Sequence, residues 1–110
     1  MTRGYVEKKL LEIGMPASCK GFGYIVDAVM VLHNPEWKCD KMMAIYQTVA
    51  SKNKTSSANV EHCMRTAFAT SRNEGGENIE KYFGKYHMGN KNTLFTFFRM
   101  LSIEKGGIGK

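Results

Sequence analysis

The fold of this chain is decided by residues 42–73, MMAIYQTVASKNKTSSANVEHCMRTAFATSRN, which have the pattern of two helices separated by a polar break. In the second helix one stripe recurs at helical spacing and predicts a core face: Val60, Met64, Ala67, Phe68 and Ser71. A two-helix unit of this spacing is typical of small proteins that place one helix in a DNA major groove. An ordinary helical hairpin with a solvated outer face would show the same pattern.

The side opposite this stripe is narrow and polar. His62 and Arg65 are its longest polar side chains, alanines bracket them, and Glu61 lies at the edge. Small residues beside long hydrogen-bonding ones allow a helix to sink into a groove. For His62 alone, a solvated helix position remains the alternative.

The polar break supplies a helix start and a basic flank. Thr55 or Ser56 is the expected N-cap, and such hydroxyls, with the free N–H groups behind them, also suit a phosphate oxygen. Four lysines surround the first helix of the pair, at positions 38, 41, 52 and 54, with only Asp40 against them. A basic flank beside a reading helix is where phosphate contacts are expected.

Composition limits the class of protein. The chain has 110 residues, of which 43% are hydrophobic and 24% charged, which fits one folded domain and disfavours disorder. The net charge of +6 favours an anionic partner, although many proteins are this basic.

Helical periodicity recurs along nearly the whole chain, and no strand alternation is found. We predict helices over residues 5–13, 20–32, 39–50, about 56–73, 78–83 and 93–104, with a loop at 85–92 and a frayed tail at 105–110. The predicted fold is all-α: a single six-helix domain over 1–110, with an ordered core of about 5–104, containing a helix-turn-helix.

The remaining motifs argue against other classes. Cys19, Cys39 and Cys63 form neither a C-x-x-C pair nor a zinc ligand set, so we expect free thiols in a reducing cytoplasm. No signal peptide, membrane span, phosphate-binding loop or nucleophile elbow is found. We therefore expect no enzyme activity, cofactor, metal, small-molecule substrate or membrane association.

Several sequence motifs are more specific than helical periodicity. The blocks EIGMPA at 12–17 and KGFGYI at 20–25, followed by Ala28 and Val29, closely resemble the C-terminal DNA-binding domain of the master response regulator of sporulation initiation in endospore-forming Firmicutes. The resemblance spans about 8–104 and continues through five residues of the two-helix unit: Thr55, Val60, Glu61, Arg65 and Ala67. It implies an all-helical domain whose fourth helix reads the major groove, with two copies in tandem on double-stranded DNA.

On this basis we expect Glu61, His62 and Arg65 to face bases. The expected backbone contacts are Ser56, Ser57, Asn59, Lys52 and Lys54. The chain departs from the family pattern, which has arginine at the positions of Asn59 and His62. Arginine can form a bidentate pair with guanine that His62 cannot copy, so the family's target sequence is not carried over. Losing two cations also makes the salt dependence of binding shallower by up to ~2 units.

Two further features bear on function. The family's receiver domain has no counterpart, which suggests a stand-alone effector domain or a cut fragment. The last predicted helix is apolar over more than half its circumference; this is typical of a central core helix or of a homodimer contact, for which Phe95, Phe98 and Leu101 are the candidates. The alternative function is a protein-interaction module that has lost strong DNA readout and modulates a full-length regulator.

Overall fold

The structure, a computed structural model, describes residues 1–75, 78–85 and 88–106, and within these ranges it is helical with short connections. The helices are α1 Arg3–Ile13, α2 Lys20–His33, α3 Met42–Asn53, α4 Ser57–Glu74, α5 Ile79–Phe83 and α6 Asn90–Glu104. The predicted all-α, six-helix architecture is confirmed. Parts of the predicted loop at 85–92 and of the predicted tail at 105–110 lie outside the described residues. No helix in the described ranges is long and apolar enough to cross a membrane.

Local signals fix the ends of α1. The Thr2 hydroxyl accepts a hydrogen bond from the Tyr5 backbone N–H at 3.2 Å, which starts the helix two residues before its predicted beginning. Gly14 ends it with φ 105°, a left-handed conformation that glycine adopts without penalty. The end of the helix at Ile13 agrees with the predicted range of 5–13.

Other boundaries differ from the predictions. The helix predicted over 39–50 runs from Met42 to Asn53. The predicted loop at 85–92 is wrong in its last three residues, because α6 begins at Asn90. The Asn90 side-chain amide donates to the Tyr46 hydroxyl and to the Glu61 carbonyl, both at 3.0 Å. Long-range bonds of this kind stabilise a first turn whose sequence has low helix propensity.

The core is built around α2, which packs against α1, α3, α4 and α6. The helices α2 and α4 approach each other closely at Gly21, where an added Cβ would overlap the Cys63 carbonyl oxygen. Phe68, Phe83 and Phe97 meet edge to face, with ring centroids 5.1 and 5.5 Å apart, and join α4, α5 and α6. The two-helix unit α3–α4 is therefore packed against α2, and α4 also packs against α5 and α6.

A buried carboxylate ties α3 to α1 and α2. Asp27 is 5% exposed and accepts hydrogen bonds from Arg3 at 2.5 Å, Lys52 at 3.1 Å and Asn53 at 2.8 Å. Burial opposes ionisation, but the bonds from Asn53, Arg3 and Lys52 outweigh it, so the pKa of Asp27 lies below its ordinary value. The C-terminal end of α3, where the turn to α4 begins, is thus fixed in place.

Candidate nucleic-acid interface

The turn between α3 and α4 has the compact geometry of a helix-turn-helix. Lys54 caps α3 in the left-handed conformation, with φ 56° and ψ 48°, and its N–H bonds to the Ala50 and Ser51 carbonyls. Ser56 is the N-cap of α4, because its hydroxyl accepts from the Asn59 N–H at 3.0 Å. Of the two predicted caps, Ser56 is the one that the structure uses. The turn therefore spans only a few residues.

The two faces of α4 separate as the periodicity predicts. The whole predicted core stripe is at most 3% exposed: Val60, Met64, Ala67, Phe68 and Ser71. On the opposite face His62, Arg65 and Thr66 are exposed, while Glu61 is half-buried beside them. A long helix with one anchored face and one open polar face is suited to docking in a groove.

Glu61, His62 and Arg65 form one connected group on the open face. The Arg65 guanidinium makes an ion pair with the Glu61 carboxylate one turn earlier. Its other terminal nitrogen lies 3.2 Å from His62 Nδ1. A guanidinium can only donate, so a hydrogen bond at this contact requires Nδ1 of His62 to accept. The Nε2 atom of His62 is then the position left for an N–H donor.

Three of the expected phosphate-binding residues lie around the turn, and they differ in exposure and in the bonds that they already make. Lys54 is exposed, and Ser57 is half-buried in the first turn of α4. The Lys52 side chain is 61% exposed, although its ammonium bonds to Asp27. Lys52 can thus approach a phosphate only by sharing or leaving that carboxylate.

Asn59 is placed differently from the expectation. Its side-chain N–H groups donate to the Thr55 hydroxyl at 3.0 Å and to the Tyr24 hydroxyl at 3.5 Å. Its amide oxygen accepts from the Cys63 thiol at 3.6 Å. With these bonds the side chain faces inward and braces the first turn of α4 against α2. Both side-chain N–H groups of Asn59 are used in this arrangement, so a contact with phosphate would require Asn59 to give up one of these bonds.

Comparison with known protein families decides the assignment. The family model described as "Sporulation initiation factor Spo0A C terminal" matches residues 6–104. The chain belongs to the Spo0A C-terminal family. The resemblance predicted from the sequence is confirmed, as are DNA binding, transcription regulation and sporulation as its setting. The Spo0A C-terminal family is one of helical DNA-binding regulatory domains, not of enzymes, and double-stranded DNA is its partner.

Sequence reasoning missed Asn90 as a residue that positions the candidate interface. Its amide joins the first turn of α6 to the Glu61 carbonyl and to the Tyr46 hydroxyl, and therefore fixes α4 at Glu61. Burial raises the pKa of Tyr46, and the bond from Asn90 opposes that shift. Asn90 is 29 residues from Glu61 in the chain, so no local pattern signals the contact.

The proposed dimer face on α6 needs one correction. Leu101 is 0% exposed and belongs to the core, so it cannot contact a partner. Phe95 and Phe98 are half-buried and line a groove of about 490 Å³ with Leu32 and Arg99. The apolar side chains of α6 are thus divided between the core and this groove.

Proposed function

We propose that α4 enters the DNA major groove and that Glu61, His62 and Arg65 face base edges. The observation that carries this proposal is the connected polar group on the open face of a helix whose opposite stripe is buried. The family assignment supplies DNA as the partner. The role of each residue follows from its hydrogen-bonding groups.

Each member of the group suits a different base edge. Arg65 can donate two parallel bonds to guanine O6 and N7, a pairing worth about 1–3 kcal/mol of discrimination. Glu61 can accept from a cytosine amino group. A neutral imidazole presents one N–H donor, so His62 suits a single acceptor such as guanine N7. Because a single donor replaces a fork, we expect His62 to discriminate less than an arginine would.

Phosphate contacts belong to the turn and to the first residues of α4. Lys54 extends from the turn, and Ser56 and Ser57 start the helix, where free backbone N–H groups favour an anion. Lys52 contributes at the cost of its bond to Asp27. Asn59 supports these contacts by orienting the turn, not by touching DNA.

We also propose that two copies assemble side by side on tandem DNA sites through the groove on α6. Phe95 and Phe98 remain partly open there, and Arg99 at its rim is exposed. A second copy would cover this apolar surface. Replacing Phe95 with serine should abolish cooperative binding to a duplex with two sites while leaving binding to one site unchanged.

The experiment that tests the major-groove proposal begins with selection from duplexes with a randomised centre. Fluorescence anisotropy then compares the selected duplex with a scrambled version at low and physiological salt. Arg65→Ala should lose most discrimination while its helical circular dichroism is unchanged. Arg65→Lys should keep binding to the scrambled duplex but lose discrimination, because an ammonium has no planar fork.

Lys8→Ala is the matched control, since it removes one exposed positive charge from α1. It should leave discrimination intact. If the unchanged chain binds both duplexes equally, and this binding disappears at physiological salt, the proposal that α4 reads bases is wrong. An Arg65→Ala variant with unaltered discrimination would show that Arg65 does not read a base.

A further inference from the structure

Two cysteines, one just before α2 and one within α4, line one small cavity beside the group of Glu61, His62 and Arg65. Cys19 immediately precedes α2, and Cys63 lies in the middle of α4. The cavity has a volume of about 190 Å³, and its wall also includes His62, Thr66 and Lys20. Nothing in the proposed DNA contacts uses either thiol.

The backbones of α2 and α4 are close to each other near this cavity, at Gly21 and Cys63. An added Cβ on Gly21 would overlap the Cys63 carbonyl oxygen and lie 2.6 Å from the Ala67 Cβ. Cys19 is two residues from Gly21, and two residues of extended chain span at most about 7 Å. Disulfides join Cα atoms about 4.4–6.8 Å apart. The two cysteines therefore lie near the same close approach of α2 to α4, and a disulfide between them requires the segment before α2 to move until the two Cα atoms reach this range.

Neither the Cys19 thiol nor the Cys63 thiol makes a strong hydrogen bond with the described residues. Cys63 Sγ makes a weak hydrogen bond of 3.6 Å with Asn59 Oδ1, and Cys19 caps α2 without a side-chain hydrogen bond. Both residues are half-buried, and neither is in a disulfide. Both residues line the shared cavity.

We propose that Cys19 and Cys63 form an oxidisable thiol pair that a hydroperoxide closes into a disulfide, and that this bond weakens DNA binding. Hydrogen peroxide oxidises one thiolate to a sulfenic acid and releases hydroxide. The second thiolate attacks that sulfur, forms the S–S bond and displaces a second hydroxide. In total two thiols and one peroxide give one disulfide and two waters. Excess thiol reverses the change.

The effect on DNA rests on the proposed function of α4. Closing the bond turns Cys63 Sγ away from Asn59, whose amide braces the first turn of the helix. It also draws the segment before α2 toward the wall that carries His62 and Thr66. Displacing one base contact of this kind corresponds to roughly tenfold weaker binding.

The bond itself is tested on the unchanged chain by mass spectrometry after treatment with hydrogen peroxide. The expected result is a loss of two hydrogen atoms from the intact protein and a peptide linked through Cys19 and Cys63, both reversed by dithiothreitol. Cys39→Ser is the matched control and should behave like the unchanged chain. Cys19→Ser and Cys63→Ser should not form the linked peptide. Separate sulfinic acids, or a link through Cys39, would overturn the proposal.

DNA binding is measured separately by anisotropy on the same oxidised and reduced samples. Oxidation should weaken binding to the selected duplex roughly tenfold in the unchanged chain and in Cys39→Ser, but not in Cys19→Ser. If the disulfide form binds DNA with the same affinity as the reduced form, the proposal that the disulfide weakens DNA binding is wrong. If the reduced protein binds no DNA, the proposed function fails, whereas the linked peptide still decides the thiol pair.

Discussion

Glu61 and Arg65 form an ion pair one helical turn apart on the face of α4 that we assign to the DNA bases. The acidic residue precedes the basic one, which is the favourable order along a helix. Because Arg65 also donates to His62 Nδ1, the carboxylate and the imidazole compete with DNA for the same guanidinium. Reading a base with Arg65 therefore requires the DNA to offer better acceptors than the helix already provides.

We predict that Glu61→Gln increases affinity for scrambled DNA and reduces discrimination. The substitution removes a negative charge and frees Arg65 to bind any phosphate. The free energy of unfolding should change by no more than about 0.5 kcal/mol, because exposed ion pairs contribute little. Anisotropy with selected and scrambled duplexes measures the first effect, and urea unfolding measures the second.

Glu74→Gln is the control, since it removes the same charge from the other end of α4. Should both variants raise affinity for the two duplexes by the same factor, only net charge would matter. The proposed competition between Glu61 and DNA would then be wrong.

A pair of glycines in α2 gives a prediction about packing. Gly21→Ala should destabilise the protein by about 1–3 kcal/mol, because the new methyl group overlaps the backbone of α4 at Cys63. Gly23→Ala should instead stabilise it by about 0.5–1 kcal/mol, since no atom lies within 4 Å of an added Cβ and alanine favours the helix. Thermal unfolding of the two variants measures the difference. Similar changes in both would show that α2 does not approach α4 closely at Gly21.

Helical periodicity was sufficient to predict the architecture and the core face of α4. It uses only local spacing, and the stripe from Val60 to Ser71 lies where it predicts. The inward orientation of Asn59 was not predictable, because its partner Tyr24 is 35 residues away. The same limit applies to the start of α6, which Asn90 stabilises through Tyr46 and Glu61.

The predicted partner face on α6 failed at one residue for a related reason. An apolar pattern over more than half a helix shows that much of it is buried, but not which side chains the core covers. Here the core covers Leu101 completely and leaves Phe95 half-buried. Only the positions of the neighbouring helices separate the two.

Lys54 supplies a prediction that links backbone conformation to DNA binding. A non-glycine residue in the left-handed conformation costs about 1–2 kcal/mol, so Lys54→Gly should stabilise the fold by up to about 1 kcal/mol, after allowing for the flexibility of glycine in the unfolded chain. If Lys54 binds a phosphate, the same variant should bind DNA more weakly, with a salt slope shallower by about 0.9. Urea unfolding and anisotropy at several salt concentrations measure the two effects.

Lys54→Asn is the matched variant, because asparagine tolerates the left-handed conformation but also lacks the charge. It should show the same shallower salt slope with a smaller gain in stability. A more stable Lys54→Gly protein with unchanged DNA affinity and salt slope would contradict the phosphate contact.

The last prediction concerns acid stability and rests on Glu104 at the end of α6. Its carboxylate accepts from the Tyr82 hydroxyl at 2.5 Å and pairs with Lys81 at 3.0 Å and Lys9 at 3.4 Å. Burial opposes ionisation, but the bonds from Tyr82, Lys81 and Lys9 outweigh it and lower the pKa of Glu104 from 4.5 to about 2. The stabilisation from this group is therefore complete above pH 4.5 and disappears as the pH falls toward 2.

Glu104→Gln should accordingly lower the free energy of unfolding at neutral pH, and its deficit against the unchanged chain should shrink as the pH falls through that window. Urea unfolding monitored by circular dichroism at several pH values measures the deficit. Glu80→Gln is the control, because Glu80 is exposed on α5 and forms no ion pair with the described residues. Its difference from the unchanged chain should stay small and nearly constant. A Glu104→Gln deficit that persists undiminished in acid would show that Glu104 contributes through packing and not through its charge.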